Sequence, residues 1–286
     1  MTFHRLTLLV LLCFPAAGLT AQSTAPATPS AGSPIGRLKL VTWNIQGGYD
    51  AKRQEAFDSQ VALLADTNAD VIGLQEVSGD SQASLYKSKL EAVTGITWNA
   101  VWSPIPYPAS PGGNLVLSRL PIVASSTRQL DAAANDPTWA GAKRSAARVE
   151  LAVNGKRINV FFTHLDTDAT VRRTQLTMLL DWVKTFSAPR FVGGDFNMMP
   201  SEGDYATMSG SFDDAWATLV ERSPASGANP GYTKKVRTVA PWTGQPGRID
   251  YWFHEKGSAI AIPTEIAVLE TPRSDHYGVV MWVRVQ

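Results

Sequence analysis

The sequence predicts an α/β fold in which two mixed β-sheets pack face to face and helices cover their outer sides. Three observations predict it. Short apolar runs with strand character recur along the chain, some of them joined by tight turns. A few helical stretches fall between them without alternating one for one, which suits packed sheets better than a single parallel sheet. No second low-complexity break and no internal repeat divides the chain after residue 36, leaving a stretch of roughly 250 residues that one large domain fills.

The elements follow in order. Arg37 to Trp43 alternates polar and apolar residues as a strand does. Gln54 to Ala65 carries Phe57, Val61 and Leu64 at helical spacing, and Asp70 to Gln75 is a short apolar run typical of a buried strand. Ser81 to Thr94 reads as a helix with Tyr86, Leu90 and Val93 on one face. Strands are expected at Trp98 to Trp102, Asn114 to Ser118, Ile122 to Leu130, Ser145 to Val153 and Arg157 to Thr163. Asn154-Gly155 supplies a two-residue hairpin turn between the last two, because both residue types tolerate the left-handed backbone such turns require. Asp168 is placed to cap the next helix, whose apolar face is Val171, Met178, Leu179, Trp182, Val183 and Phe186. Arg172 and Arg173 are expected on its exposed face. Arg190 to Gly193 reads as a buried strand, and the chain returns to β at Arg248 to His254, Glu265 to Leu269 and Tyr277 to Val285.

The first 36 residues have a different character. Met1 to Ala21 reads as a signal peptide, with His4 and Arg5 at its start, an apolar run from Leu6 to Phe14 and small residues after Pro15. The run is shorter than the ~20 residues that span a bilayer. Residues 22 to 36 are uncharged and rich in Ser, Thr, Ala, Pro and Gly, a composition that buries no core and reads as a flexible linker. The domain expected to carry function is therefore 37–286, secreted or periplasmic and monomeric, without a membrane span. Cys13, the sole cysteine, lies in the signal peptide, so the mature domain has no disulfide and rests on core packing, with all nine Trp to draw on. Without Arg5 the 26 basic residues become 25, against 25 acidic ones. A chain-wide basic footprint for nucleic acid is thus excluded, although local patches are not.

Polar residues mark the strand ends. Asn44 follows VTW, Glu76 follows VIGLQ, His164 follows NVFFT, and Asp195 and Asn197 follow FVGG. A sheet edge that gathers those ends collects amides, carboxylates and an imidazole around one cleft. Asp250 lies inside RIDYWF, and Asp275-His276 stands before the final strand. Taken singly, an Asn or Asp at a strand end is more often a turn former than a catalyst. Together they weigh differently, since buried carboxylates near one another are costly without a cation or a paired His. A hard divalent ion suits oxygen ligands, and the lack of mature Cys with few His argues against zinc or copper.

Seven segments in order strengthen this reading: WNIQGG at 43–48, GLQEV at 73–77, GNLVLSR at 113–119, THLD at 163–166, GGDFN at 193–197, RIDYWF at 248–253 and SDHYGVV at 274–280. Their succession resembles the motifs of the endonuclease/exonuclease/phosphatase superfamily, which includes deoxyribonuclease I-like hydrolases. The resemblance implies a four-layered α/β sandwich and a phosphoric ester hydrolase dependent on Mg²⁺ or Mn²⁺, with the number of ions left open. It implies that Glu76 is the direct metal ligand, with Asn44 and Asp275 beside the ion. Asp195 would orient and deprotonate the attacking water, Asn197 would contact the phosphate or a metal-bound oxygen, and His164 and His276 would contact phosphate oxygens. Asp250 would pair with His276, and Asn114 and Arg144 would touch the substrate phosphate. Arg144 equally suits an ordinary surface cation.

Substrate choice lies in the loops. Asp131 to Lys143 carries Trp139, and Ser223 to Gln245 carries Tyr232, Lys234, Lys235, Arg237 and Trp242. Basic groups among aromatics suit a nucleic-acid backbone with stacked bases, and equally an anionic lipid surface. Three functions stay open: a phosphodiesterase or nuclease, a phosphatase or phospholipase C-like enzyme on a phosphorylated head group, and a non-catalytic binding module on the same fold.

Overall fold

Strand β1 (Leu38–Asn44) shows why the domain has four layers. Leu38 and Leu40 point into one apolar cluster while Val41 and Trp43, on the opposite face, point into another. Side chains alternate across a strand, so a strand apolar on both faces is covered on both. Strand β7 (Lys156–His164) behaves alike, with Ile158, Val160 and Phe162 in the first cluster and Phe161 in a third. These elements belong to a computed structural model that describes residues 36–105, 112–131, 143–220, 229–234 and 246–286. The segments expected to be a signal peptide and, but for residue 36, a linker, together with Trp139, Lys235, Arg237 and Trp242, lie outside the described residues.

The described strands form two six-stranded sheets. The first contains β1, β2 (Val71–Val77), β3 (Asn99–Ser103), β4 (Gly113–Ser118), β11 (Ala261–Leu269) and β12 (Gly278–Val285), in the order β11-β12-β1-β2-β4-β3. The second contains β5 (Ile122–Asp131), β6 (Lys143–Val153), β7, β8 (Arg190–Asp195), β9 (Phe212–Asp214) and β10 (Asp250–Glu255), in the order β5-β6-β7-β8-β10-β9. The core between them joins Leu38, Leu40, Val71 and Met281 to Val149, Val160, Phe162 and Trp252.

Each sheet holds one parallel pair at its centre, β1 with β2 and β7 with β8. A parallel pair needs a crossover, and a helix supplies it in both cases. Helix α1 (Phe57–Asp66) links β1 to β2, and α3 (Ala169–Lys184) links β7 to β8. Helix α1 and α2 (Asp80–Thr94) cover the first sheet through Phe57, Val61, Leu64, Tyr86 and Leu90. Helix α3 and α4 (Gly203–Ser211) cover the second through Leu176, Leu179, Val183 and Met208. The order helix, sheet, sheet, helix is the predicted sandwich. Asp168 caps α3 as expected, its Oδ1 accepting from the amides of Thr170 and Val171 at 2.9 and 3.0 Å. No helix among the described residues is long and apolar enough to cross a membrane.

Two expectations are corrected. Val93 is 60% exposed, because the buried stripe of α2 is Ala83, Tyr86 and Leu90 and the helix closes at the left-handed cap Gly95 directly after Thr94. Arg172 does not face solvent. It is buried, while Arg173 alone keeps its side chain largely in water. The reason is a set of acceptors that α3 presents its inner face to: the carboxylates of Glu202 and Asp204 and the backbone carbonyls of Thr167 and Asn197. Helix α4 carries few apolar residues, and strand β9 and α5 (Ala215–Leu219), at three and five residues, are too short to show a period in the sequence.

Candidate active site

The parallel pairs put four polar residues at one edge. In register, Asn44 pairs with Gln75 beside Glu76, and His164 pairs with Asp195. Antiparallel β10 then lays Asp250 opposite Asp195. Local backbone breaks aim the side chains. The β2–β4 register shifts between Leu74 and Val77, and Glu76 there has φ 59°. Gly194, with φ 149°, precedes Asp195, and a Cβ on it would lie 2.1 Å from the carbonyl oxygen of Thr163, so only glycine fits. Asn197 has φ 49°, which turns the chain out of β8 and returns its amide N–H to Asp195 Oδ1 at 2.9 Å.

Asp195 Oδ2 is the centre of the cluster. Asn44 Nδ2 donates to it at 3.0 Å and to Glu76 Oε1 at the same distance. One amide nitrogen thus joins a carboxylate from each sheet. His164 Nε2 lies 3.5 Å from Asp195 Oδ2, and His276 Nε2 lies 3.8 Å from it. His276 Nδ1 donates to Asp250 Oδ2 at 2.9 Å, while Asp250 Oδ1 is buried without a partner. Ligand atoms of Asp195, Asp250 and His276 all lie within 4.8 Å of one another, a group of the size that can hold a metal ion. Trp43 Nε1 donates to the carbonyl of His276, and Ser274 Oγ, which accepts from the His276 amide, donates to the carbonyl of Asn44.

Burial and neighbouring charge separate the protonation states. Burial lowers His276, yet Asp250 and then Asp195 outweigh it and carry the imidazole up to about 9. Burial and then the charge of Asp250 push the Asp195 carboxyl up to about 6, against the pull of His276 and the hydrogen bonds from Asn44 and Asn197. His164 goes the other way: burial, then Arg144 and His276, hold it well below its ordinary value. Near neutral pH the site therefore has one charged imidazole, one neutral imidazole and an ionisable base.

The outer residues differ in how they join the site. Arg144 is no surface cation: its Nη1 lies 3.4 Å from His164 Nδ1 and its Nε 3.6 Å from Asp166 Oδ2, with the side chain 15% exposed. Asn197 Nδ2 lies 3.1 Å from His164 Nε2 and donates to the carbonyl of Leu165 at 2.9 Å. Asn114 ties the sheets together, donating to the carbonyl of Ser145 at 2.8 Å and leaving its buried Oδ1 without a partner. Asp275 is buried, and its amide donates to Gln46 Oε1 at 3.1 Å, while the Gln46 amide donates to Asn44 Oδ1 at 3.0 Å. Sequence reasoning missed Gln46, Asp166 and Arg172. Asp166 stands within the THLD segment and Gln46 within WNIQGG, so their positions were in view. Arg172 gave no signal, since its acidic partners and Asn197 lie far along the chain.

A four-layered sandwich with acids, amides and imidazoles at the carboxyl edge of its parallel strands is the framework of a class of phosphoester hydrolases. The chain belongs to the endonuclease/exonuclease/phosphatase family, whose model matches residues 41–276. It is similar in structure to an endonuclease/exonuclease/phosphatase from Beutenbergia cavernae DSM 12333, with 22% identity, a TM-score of 0.66, and coverage of 88% of this chain and 72% of that one. It is similar to D. rerio TDP2 complexed with single strand DNA product, at 18% identity and TM-score 0.66 over 88% of this chain and 100% of that one. The human Nocturnin catalytic domain with bound sulfate anion is likewise similar, at 18% identity and TM-score 0.65 over 88% and 94% of the two chains. At these identities the likeness shows the fold. Among curated proteins, none shows significant similarity.

Proposed function

We propose that this protein is a secreted or periplasmic, divalent-metal-dependent phosphodiesterase, acting by in-line attack of an activated water on a nucleic acid or related diester. The observation that carries the reading is the meeting of Asp195 with Asn44, His164 and His276 at one oxygen, between a charged His276–Asp250 pair and the second carboxylate of Glu76.

The residues fit a metal. Glu76 and Asp195 share a single amide donor, so two carboxylates are gathered with one neutral group between them. Asp195 is buried and Glu76 half-buried, and a hard cation with oxygen ligands is a natural partner for two carboxylates brought this close. Glu76, with Asn44 and Asp275, would hold Mg²⁺ or Mn²⁺. The Asp195–Asp250–His276 cluster already contains its own cation, His276, so the ion is assigned to the Glu76 side. When bound, it supplies charge neutralisation at the phosphoryl and leaving oxygens.

The chain's own residues do the rest. Asp195 takes the proton of the attacking water, a role worth typically 10²–10⁴-fold. His276, held charged by Asp250, donates from Nε2 to the oxygens that gain charge in the transition state. Both ring nitrogens of neutral His164 face donors, Arg144 Nη1 and Asn197 Nδ2. A neutral imidazole accepts only one of them. With Nδ1 accepting from Arg144, the Nε2–H faces Asp195 Oδ2 at 3.5 Å, and an anionic phosphate oxygen among these groups would be a further acceptor for the Arg144 and Asn197 donors.

Support for a nucleic-acid substrate comes from the similar TDP2 structure, which holds a single-strand DNA product, and from the basic and aromatic residues of the 223–245 loop. Zero formal charge after the leader supports the second reading, a small phosphorylated head group. The test is hydrolysis of plasmid DNA, RNA, sphingomyelin, a phosphoinositide and bis-p-nitrophenyl phosphate with Mg²⁺, Mn²⁺ or EDTA, beside Asp195→Ala and His276→Ala. Activity that needs metal and collapses in both variants supports the proposal, and the preferred substrate and its salt dependence choose between the readings. In H₂¹⁸O a single turnover is expected to label the phosphate product, and an unlabelled product overturns direct attack by water.

A further inference from the structure

We infer that Arg172 is a positioning residue of the active site, whose buried guanidinium fixes the backbone of Asn197 and, through it, the carboxylate of Asp195. The catalytic roles of those two residues rest on the function proposed above, while the contacts do not.

Arg172 is 2% exposed and spends its donors on four acceptors. Nη1 donates to the carbonyl of Asn197 at 2.6 Å and to that of Thr167 at 3.1 Å. Nε donates to Asp204 Oδ2 at 3.0 Å, and Nη2 bonds Glu202. Glu202 in turn accepts from the amide of Met199 at 3.1 Å, so the turn after Asp195 is held from both sides. Residue 197 sits at φ 49°, a left-handed conformation that Asn tolerates better than most residues, and it is this conformation, held by the Arg172 bond to its carbonyl, that returns its N–H to Asp195 Oδ1. One helical turn on from Arg172, the fully buried Gln175 accepts the amide of Asp166 at 2.8 Å. Residues three apart share a helix face, so α3 presents one polar stripe that grips the loop after β7 and the loop after β8.

Arginine is required for this geometry. A planar fork reaches two carbonyls and two carboxylates in fixed directions, whereas a lysine ammonium is a single point on a flexible stem. The distant ion pairs neutralise the charge, and the carbonyl contacts do the positioning.

The experiment compares Arg172→Lys with Asp204→Asn, which weakens the same buried cluster without touching Asn197. Amide exchange is measured by NMR on metal-free protein, and kcat and KM on the best phosphoester. In Arg172→Lys the Asn197 amide is expected to exchange at least tenfold faster while those of Phe161 and Val192 keep their protection. kcat should fall 10- to 100-fold with KM within threefold. Asp204→Asn should lose thermal stability yet keep Asn197 protection and kcat within threefold. Uniform loss of protection in Arg172→Lys, loss of its folded state, or an equal fall of kcat in Asp204→Asn overturns the inference. If the native protein cleaves no phosphoester, the hydrolase reading fails, and amide exchange alone still decides the role of Arg172.

Discussion

Asp250 Oδ2 and His276 Nδ1 are 2.9 Å apart and both residues are buried, one on a strand of the second sheet and the other just before a strand of the first. Asp250 opens β10, while His276 stands two residues ahead of β12. The pair fixes which imidazole nitrogen faces the base: Nδ1 is taken, and Nε2 is turned to Asp195.

Removing the Asp250 charge should uncouple this arrangement. Burial alone lowers His276, and Asp250 is the first of the groups that raise it to about 9. A charged donor works below its pKa, so native activity should rise as Asp195 ionises near pH 6 and fall as His276 loses its proton near pH 9. In Asp250→Asn the alkaline limb should move down by more than one pH unit, with kcat at pH 7.5 reduced about 10²–10³-fold. An unmoved limb in the pH–rate profile removes His276 from the role of charged donor.

Asp195→Asn should trade activity for stability. Folding raises the carboxyl from 3.8 to about 6, so above pH 6 the folded chain carries an ionised group at a cost that the unfolded chain does not meet. As pH falls through 6 the folded state takes up the proton first, and below about 4 the cost has gone. The variant should therefore melt above the native protein at pH 8 in EDTA, by about 2–4 °C for each kcal/mol relieved. The gap should close between pH 7 and 4, while turnover falls about 10²–10⁴-fold. Melting curves at four pH values test the sign.

Divalent ion should stabilise the native protein through Glu76. An ion that binds the folded state alone adds about 2.7 kcal/mol at a hundred times its Kd. Calorimetric melting with Mn²⁺ should show a rise that EDTA reverses and that Glu76→Gln abolishes. A rise that survives in Glu76→Gln and disappears in Asp250→Asn would move the ion to the Asp195–Asp250–His276 cluster.

Gly73 of one sheet lies directly against Phe162 of the other. A Cβ there would lie 1.9 Å from the ring of Phe162, whereas one on Gly203 meets nothing within 4 Å. Gly73→Ala should cost about 1–3 kcal/mol through overpacking, and Gly203→Ala less than about 0.5 kcal/mol. Denaturant titration of the two variants makes the comparison.

The parts of this molecule that were legible in the sequence are those with local causes. Asn44, Glu76, His164 and Asp195 each follow an apolar run, and an apolar run that stops at a polar residue is a strand ending at an edge. The mixed order of apolar runs and helical stretches gave the packed sheets, whereas the burial of β1 and β7 on both faces emerged only with the helices in place. Arg172 had a non-local cause. Glu202 and Asp204, thirty and thirty-two residues further on, turn a charged residue inward, and no period in α3 announces them. Helix α4 stayed hidden for a related reason. Only Asp204 and Met208 of its residues are buried, and one of these is an acid that answers Arg172. The link from Asn114 to Ser145 was equally invisible, since it depends on how two sheets stack.

The order of strands in the first sheet carries a consequence for timing. Strand β12, the latest in chain order, lies between β11 and β1, the earliest. His276 and Asp275 sit just ahead of it, and the His276 carbonyl is latched by Trp43. Until β12 has docked on β1, Asp195 and Glu76 stand without His276. The polar cluster is therefore complete only once the latest described strand of this sheet has closed on its earliest.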